Sequence, residues 1–234
     1  MSSSTASSAL YSRTEDVLAH LPISNTTEYN KGDMIYGPTT RSRNIYLVLG
    51  GRVAISRITD DRGEILLELV PPDELFGESA FLDVPCGAEC AVAIEKVKLM
   101  MWSISDIEDL VMKRPRLAVA LLQMLVQRNA EFTRRIESLV TDSVERRLAL
   151  SLLRFSERMG SPESNGCVRM MPFTHEMLSR YVGSTRESIT QYMNGFRKQG
   201  YLNYSRKGIL LYRDALSNWL HKGPVAASAA TVSA

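Results

Sequence analysis

The first half of the chain alternates short apolar runs with residues that favour turns. The apolar runs cover residues 45–49, 52–58, 65–70 and 90–101. Turn-forming residues separate them at positions 30–33, 50–51, 60–63 and 71–73. Short strands at such even spacing indicate a small antiparallel barrel or roll. A single short helix near residues 15–21 is predicted to precede this roll.

A helical period follows between about residues 116 and 139. Apolar residues recur there at roughly the 3.5-residue interval of a coiled coil, and the members of this stripe are Leu121, Leu125, Phe132, Ile136 and Leu139. Arg128 interrupts the stripe. Such a stripe either packs against the roll of its own chain or forms the seam between two helices. We predict the seam, and therefore a homodimer interface along this helix.

The long helix is predicted to end at a hinge near residues 140–142. Asp142 followed by Glu145 three residues later is a helix-start signal. The next helix then covers about residues 143–159, and a loop at 161–166 follows it.

Residues 174–197 have the most informative pattern, which predicts two short helices around a turn at Gly183. Apolar residues on one face of each helix are Leu178, Val182, Ile189, Met193 and Phe196. The opposite face of the second helix, 186–197, is polar, with Arg186, Glu187, Thr190, Gln191 and Asn194. Side chains of these types reach base edges and phosphates in the major groove. The pattern indicates a helix-turn-helix with 186–197 as recognition helix, although an ordinary corner between two helices has the same periodicity.

The distribution of charge favours the DNA-binding interpretation. From Met170 to Arg213, seven basic and two acidic residues give a net charge of +5, whereas the whole chain carries +2 and the remainder therefore −3. A basic block on a nearly neutral protein is typical of a phosphate-binding face. The block extends into a predicted hairpin, 201–212, which makes the unit a winged helix-turn-helix. Arg206 and Lys207 at its turn are predicted to contact phosphate, unless they form a merely solvated turn.

Length and composition restrict the class of protein. With 234 residues, 44% hydrophobic and 23% charged, the chain fits one or two globular domains. No apolar run approaches the roughly 18 residues of a transmembrane helix, and the serine-rich start lacks the features of a secretory signal. An odd number of cysteines fits a reducing cytoplasm. Segments 1–13 and 223–234 are predicted to be disordered from their composition.

The order of roll, long helix, hinge and winged helix-turn-helix resembles the CRP/FNR family of bacterial transcription regulators. The resemblance covers about residues 14–220, and its motifs are Lys31-Gly32-Asp33, Ile45-Tyr46-Leu47-Val48-Leu49-Gly50-Gly51, Phe76-Gly77-Glu78 and Gly183-Ser184-Thr185-Arg186-Glu187. It implies an α+β fold in three parts: an antiparallel β-roll of the cyclic-nucleotide-binding jelly-roll type at 14–112, a dimerisation helix at 113–140 and a winged helix-turn-helix DNA-binding domain at 141–222. It also implies a homodimer on a palindromic site in double-stranded DNA, with RNA polymerase as a further partner if the protein activates transcription.

The resemblance also assigns DNA contacts by position. Arg186 and Glu187 match an Arg-Glu pair that members resembling the cyclic-AMP receptor protein place on guanine and cytosine edges. Gln191 stands where better-known members carry a second Arg, so we expect a different base preference there. If Ser184 were the helix cap, Glu187 would instead be placed to close a capping box. Predicted contacts to the DNA backbone are Thr174, Ser184, Thr185, Ser188, Thr190, Arg197, Arg206 and Lys207.

The predicted effector pocket departs from the family pattern. In members that bind cyclic AMP, a Glu after Gly bonds the ribose and a later Arg-Ser pair holds the phosphate. Gly77 and Glu78 are present, but Glu89 and Cys90 occupy the Arg-Ser position, and Thr133 completes a degenerate pocket. A carboxylate repels phosphate at short range. We therefore predict regulation without cyclic AMP and without a cofactor, and expect Glu78 to hold a turn through backbone bonds.

Other sensor chemistries are poorly matched by the sequence. An iron–sulfur cluster needs four thiolates, whereas this chain has three cysteines: Cys86, Cys90 and Cys167. We expect the first two to be buried thiols and consider Cys167 a candidate redox site. Haem is disfavoured because His20 is the only histidine in the sensor half.

Enzymatic classes fit less well than a regulator. The cupin barrel, which such a roll resembles, binds metal through clustered histidines, but His20, His175 and His221 are scattered and no metal site is predicted. Walker, nucleophile-elbow and zincin motifs do not occur. We predict a cytoplasmic, sequence-specific DNA-binding regulator and not an enzyme. The alternatives are a cyclic-nucleotide-, redox- or haem-responsive regulator of the same family and a ligand-binding module that does not bind DNA.

Overall fold

The computed structural model describes five stretches of the chain: residues 15–39, 42–60, 63–82, 88–163 and 166–222. The chain divides into two compact units, and the division lies between Glu137 and Ser138. The two terminal segments predicted to be disordered, 1–13 and 223–234, lie outside the described residues, and so does Cys86.

The described part of the first unit consists mostly of antiparallel sheet. Its strands are β1 (Thr26–Tyr29), β2 (Met34–Tyr36), β3 (Asn44–Gly50), β4 (Val53–Ile58), β5 (Glu64–Val70), β6 (Leu75–Phe76), β7 (Glu89–Ala93) and β8 (Val97–Ser103). They form two four-stranded sheets with the orders β1-β8-β3-β6 and β2-β7-β4-β5. Every pairing is antiparallel, so the predicted antiparallel roll is confirmed.

Strand β3 is apolar along most of its length because both of its faces are buried. Alternate side chains of a strand point to opposite faces. Tyr46 and Val48 belong to a core with residues of both sheets, whereas Ile45 and Leu47 belong to a second core that contains Leu117. An unbroken apolar run is therefore what this strand requires.

Two predictions for the first unit need correction. The run 90–101 is not one strand, because β7 and β8 lie in different sheets and the chain turns between Ala93 and Val97. The short helix near residues 15–21 exists, but it is a single 3-10 turn at Val17–His20. Strands β1, β2 and β6 were not predicted, since each has four residues or fewer.

Two helices follow the roll, α1 (Ile104–Lys113) and α2 (Arg116–Thr141). Helix α1 begins with a capping box between Ser103 and Asp106, a signal that the sequence analysis missed. Helix α2 confirms the predicted long helix. Its first turns pack into the second core of the roll.

The described part of the second unit contains helices and a small sheet. Its elements after α2 are α3 (Val144–Met159), β9 (Ser161–Pro162), β10 (Cys167–Met170), α4 (His175–Val182), α5 (Arg186–Lys198), β11 (Leu202–Ser205), β12 (Gly208–Tyr212) and α6 (Arg213–Lys222). The strands form one sheet with the order β11-β12-β10-β9. The predicted helix-turn-helix, α4 and α5, and its wing, β11 and β12, are confirmed, whereas β9, β10 and α6 were not predicted.

The break between α2 and α3 lies at Asp142 and Ser143, next to the predicted hinge. The predicted cap is wrong by one residue, since the Ser143 hydroxyl caps α3 by accepting from the Arg146 N–H at 3.3 Å. Asp142 instead accepts from the Ser138 hydroxyl at 2.7 Å and from Arg146 Nε at 2.8 Å. Its carboxylate joins the end of α2 to the start of α3.

Candidate functional site

The helix-turn-helix is built around Gly183. Its φ of +70° lies in the left-handed region that favours glycine. The N–H groups of Gly183 and Ser184 both donate to the Ser179 carbonyl, at 2.9 and 3.1 Å. Arg147 of α3 donates to the carbonyls of Val182 and Gly183, each at 3.1 Å. The turn is thus held by its own backbone and by a cation that sequence reasoning missed.

Thr185, and not Ser184, caps the recognition helix α5. The Thr185 hydroxyl accepts from the Ser188 N–H at 3.2 Å, which makes Ser188 the third helical residue. Glu187 is therefore the second helical residue, one position short of a capping box. The capping-box alternative is wrong, and the exposed Glu187 carboxylate remains available to a ligand.

Helix α5 separates apolar from polar residues as the sequence predicts. Its inner face consists of Ile189, Met193 and Phe196, each at most 1% exposed. On its outer face Arg186, Glu187 and Gln191 are exposed, and Thr190 and Asn194 are partly exposed. The three predicted base contacts therefore share one accessible surface. Their contact with bases stays a prediction.

Tyr204 of strand β11 joins the wing to the recognition helix. Its hydroxyl donates to Asn194 Oδ1 at 3.0 Å, and the Arg197 guanidinium lies 5.2 Å from the centre of its ring. The hydrogen bond to Asn194 and the cation–π contact with Arg197 together hold the wing against the polar face of α5. Sequence reasoning did not single out Tyr204, because a tyrosine in a strand is ordinarily a packing residue.

The Thr190 hydroxyl is already used inside the protein. It donates to the Arg186 carbonyl one turn earlier, at 2.8 Å, and its oxygen lies 2.8 Å from His175 Nδ1. A phosphate oxygen can only accept hydrogen bonds, so Thr190 would have to break its helical bond to reach one. We therefore do not retain Thr190 among the predicted backbone contacts.

The other predicted hydroxyl contacts lie at the starts of α4 and α5. Thr174 caps α4 by accepting from the Met177 N–H at 3.0 Å. The Ser188 hydroxyl lies 3.0 Å from that of Thr185, next to Ser184. A capping hydroxyl keeps its proton for donation, and helix N-termini favour anions. Both starts suit phosphate, and contact with DNA stays a prediction.

Some of the basic charge around this surface is paired within the protein. Arg180 lies 3.1 Å from Glu176, and Arg213 lies 2.8 Å from Glu157. The remaining basic residues of the block are exposed, namely Arg186, Arg197, Lys198, Arg206 and Lys207. Arg206 and Lys207 form the turn between β11 and β12, as predicted. Exposed cations so arranged attract a polyanion.

A largely buried cation, Arg128, contacts Glu78 of the predicted effector pocket in the first unit. Arg128 of α2 is ion-paired with Glu78 and lies 3.4 Å from Glu68 Oε2. It also donates to the Leu75 carbonyl at 2.7 Å, and its side chain is 10% exposed. The prediction that Glu78 holds a turn through backbone bonds is wrong, since its carboxylate pairs with this guanidinium.

Glu89 is hydrogen-bonded inside the same unit. Its Oε1 accepts from the Tyr36 hydroxyl and from the Ser79 hydroxyl, each at 3.1 Å. Burial and the Glu89 carboxylate raise the pKa of Tyr36, so this hydroxyl keeps its proton and donates. The hydroxyls of Tyr36 and Ser79 could each donate a hydrogen bond to the phosphate of a ligand, but both already donate to the Glu89 carboxylate.

The remaining residues of the predicted pocket behave differently from one another. Gly77 has a φ of +92°, and a Cβ there would lie 2.7 Å from the Asn44 carbonyl oxygen, so only glycine fits. Cys90 is buried, and burial raises the pKa of its thiol. Thr133 is exposed on α2, and its hydroxyl donates to the Asn129 carbonyl at 3.0 Å. Arg128 is the residue of α2 that pairs with Glu68 and Glu78.

Exposed residues along α2 follow the a/d pattern of a coiled coil. The residues that recur at alternating intervals of three and four, all exposed, are Leu122, Leu125, Asn129, Phe132, Ile136 and Leu139. Leu121 is only 8% exposed and packs in the second core of the roll. The predicted stripe therefore mixed two faces, because Leu121 and Arg128 contact the roll.

Other candidate sites are few in the described part of the chain. No group of three or more His, Cys, Asp or Glu side chains there is placed to hold a metal ion. Cys167 is buried in β10, which restricts its access to oxidants. None of the described helices is long and apolar enough to cross a membrane.

Known proteins share both units of this chain. The family model of the cyclic nucleotide-binding domain matches residues 26–114, and that of the Crp-like helix-turn-helix domain matches residues 146–219. The transcriptional regulator SdrP of Thermus thermophilus is 32% identical over 186 residues, which cover 77% of this chain and 86% of SdrP. The structure is similar to TTHA1359, a CRP/FNR-family regulator from Thermus thermophilus, with a TM-score of 0.68, 31% identity and coverage of 85% and 99% of the two chains. It is also similar to FixK2 from Bradyrhizobium japonicum, with a TM-score of 0.74, 21% identity and coverage of 89% and 100%.

Proposed function

Since this chain belongs to the CRP/FNR family of DNA-binding transcription regulators, we propose that it binds a palindromic operator as a homodimer and does so without cyclic AMP. The observation on which this proposal rests is the exposed polar face of α5, with Arg186, Glu187 and Gln191 on one surface. Exposed basic residues of the wing extend that surface.

Each side chain of this face has a distinct preferred partner on DNA. Arg186 donates to guanine O6 and N7, Glu187 accepts from cytosine N4, and Gln191 bonds adenine N6 and N7. Phosphate contacts fix the register of the protein on the duplex. The residues that we assign to these contacts are Thr174, Ser184, Thr185, Ser188, Arg197, Arg206 and Lys207.

Independence from cyclic AMP is supported by the hydrogen bonds of the effector pocket. Arg128 already neutralises Glu78, whose counterpart bonds the ribose in members that bind cyclic AMP. Glu89 already accepts from Tyr36 and Ser79, and its negative charge opposes a phosphate at short range. A cyclic nucleotide would have to displace both sets of interactions, which this protein supplies from its own side chains.

A homodimer is supported by the exposed apolar residues of α2. Two such helices would bury their a/d residues against each other, and two recognition helices are needed to contact both halves of a palindrome. We retain as proposals the roll at 14–112, the dimerisation helix at 113–140 and the DNA-binding domain at 141–222. In this scheme a hinge near residues 140–142 sets the spacing of the recognition helices. The protein acts in the cytoplasm, with RNA polymerase as partner where it activates transcription.

Selection from a random duplex library, with and without cyclic AMP at one fixed salt concentration, tests this function. We expect one palindrome to be enriched in both arms by the wild-type protein. The variant Arg186→Ala should lose the preference for guanine at one base pair of each half-site, because it lacks the guanidinium that donates to guanine. The Arg186 side chain is exposed, so this substitution should not unfold the protein.

The possible contrary results have separate meanings. Enrichment only in the presence of cyclic AMP would contradict the effector-independent part of the proposal. Enrichment of a site without two-fold symmetry would contradict the dimer. No enrichment in either arm would contradict sequence-specific binding by the isolated protein.

A further inference from the structure

His175 is in contact with two other elements of the DNA-binding unit. It is the first residue of α4, and its Nδ1 lies 2.8 Å from Thr190 Oγ1 on α5. Its ring and that of Tyr204 on β11 form a T-shaped pair, with the ring centres 5.5 Å apart. The ring is partly exposed. It therefore lies where α4, the recognition helix and the wing come together.

The hydrogen bonds of Thr190 determine which ring nitrogen of His175 carries the proton. A threonine hydroxyl has one proton, and that of Thr190 is donated to the Arg186 carbonyl at 2.8 Å. The Thr190 oxygen must therefore accept from His175, so Nδ1 is the protonated nitrogen. In the neutral ring Nε2 then has a free lone pair, and an added proton binds there. Both charge states keep the bond to Thr190.

Nε2 lies on the edge of the ring away from α5. Nδ1 points toward Thr190, and the second nitrogen points in nearly the opposite direction. In the part of the chain that the structure describes, no group is hydrogen-bonded to Nε2. Thr174, the cap of α4, directly precedes His175, and Arg186 is near enough to lower its pKa. The proposed function assigns both of these neighbours to DNA.

We propose that His175 binds a DNA phosphate through Nε2 and thereby couples DNA binding to the uptake of one proton. A neutral Nε2 would present a lone pair to an acceptor-only phosphate oxygen, whereas a protonated Nε2 donates a charge-assisted hydrogen bond. This inference rests on the proposed function and adds to it a contact whose strength depends on pH.

The charged and titratable groups around the ring are known from each neighbouring element. They are Arg186 from α5 and Tyr204 from β11, with Arg197 over the Tyr204 ring. Glu176, the next residue of α4, is paired with Arg180. Partial desolvation, and then the positive charge of Arg186, lower the pKa of His175 below its ordinary value. The free protein therefore holds this proton less tightly than an ordinary histidine does. A bound phosphate raises the same pKa.

The sign of the pH dependence follows from this difference. Because the complex holds the proton more tightly than the free protein, affinity rises as pH falls through the pKa of the complex. It levels off below the pKa of the free protein. Between the pKa of His175 in the free protein and its pKa in the complex, DNA binding is accompanied by the uptake of one proton. In this range the affinity changes by at most about tenfold per pH unit.

The test is the dissociation constant for the selected operator between pH 5.5 and 8.5 at constant ionic strength. We expect tighter binding by the wild type at low pH and a flat profile for His175→Gln, which is neutral at every pH. His175→Arg should be flat and remain tight, since its charge is permanent. His221→Gln, on the exposed residue of α6, is the matched control and should keep the wild-type profile. Nuclear magnetic resonance titration of the His175 ring should show a higher pKa with DNA than without it.

Either of two results would contradict the proton coupling without contradicting the proposed function. One is a wild-type affinity that does not change with pH. The other is a pH profile that survives in His175→Gln. If the wild type and all variants fail to bind duplex DNA at every pH, the proposed function is itself contradicted together with this inference.

Discussion

Among single residues, Gln191 has a direct consequence for the operator sequence. It is exposed on the outer face of α5. Gln bonds adenine in the major groove, and Arg bonds guanine O6 and N7. We expect Gln191→Arg to shift the preference at one base pair of each half-site toward G by about 1–3 kcal/mol. Duplex selection with both proteins measures this shift.

The matched control is Gln199→Arg, which adds the same charge at the exposed C-cap of α5. It should strengthen binding slightly to every sequence and leave base preference unchanged. The assignment of Gln191 to a base would be wrong if both variants gave the same preference as the wild type.

Loss of Arg128 should destabilise the roll. Its removal leaves the carboxylates of Glu68 and Glu78 without their buried cation. Breaking a buried ion pair at one partner is expected to cost about 3–5 kcal/mol of unfolding free energy. We expect that loss for Arg128→Met in urea unfolding. The triple variant with Glu68→Gln and Glu78→Gln should recover part of it.

Arg134→Met provides the comparison on the same helix. Arg134 is exposed, so its substitution should change the unfolding free energy by no more than about 0.5 kcal/mol. Equal stability of the Arg128 and Arg134 variants would show that the buried ion pairs do not stabilise the roll.

At the scale of elements, helix α2 has two faces with different partners. One contacts its own roll through Leu117, Ala120, Leu121 and Arg128. The other exposes the a/d residues that we assign to the dimer. Ile136→Asp places a charge in this seam, so we expect a monomer in sedimentation equilibrium. Val119→Asp changes an exposed apolar residue off the seam and should remain dimeric.

The oligomeric state of Ile136→Asp shows whether the exposed a/d residues of α2 form the dimer interface. A dimer that persists in this variant would mean that the subunits associate elsewhere. A wild-type protein that is already monomeric at micromolar concentration would contradict the seam itself.

At the scale of the whole molecule, charge is separated along the chain. The segment from Met170 to Arg213 carries +5, and the rest of the chain carries −3. Binding to DNA should therefore weaken strongly as salt rises, because phosphate contacts release counterions. The double variant Arg206→Ala/Lys207→Ala should lower the magnitude of the log–log salt slope by about 2 per subunit, close to 0.9 for each lost contact.

Two exposed lysines of the roll, Lys31 and Lys98, provide the control for this measurement. Their double substitution by Ala removes the same charge outside the basic segment, and the salt slope should stay at the wild-type value. A slope that falls equally in both double variants would indicate a general effect of net charge, and the wing would then make no specific phosphate contact.

The features that the sequence alone predicted depend on interactions between residues close together in the chain. The alternation of apolar runs and turns predicted the roll, a helical period predicted α2, and the pattern around Gly183 predicted the helix-turn-helix. Each depends on residues a few positions apart, so the chain shows it directly. Cap positions were harder to predict: Ser143 caps α3 in place of Asp142, and Thr185 caps α5 in place of the Ser184 that the capping-box alternative required. These positions matter, since one residue decides whether Glu187 faces a capping box or a ligand.

The tertiary structure decided which distant residues meet. Arg128 and Glu78 are 50 positions apart, and Arg147 and Val182 are 35 apart. No local pattern links such pairs, because their contact depends on how strands and helices pack. The same packing assigned Leu121 to the roll and fixed the protonated nitrogen of His175 through Thr190. The sequence thus indicated the main elements and their order, whereas burial and long-range hydrogen bonds determined the partners of Glu78 and Glu89 and the residues left exposed for a partner.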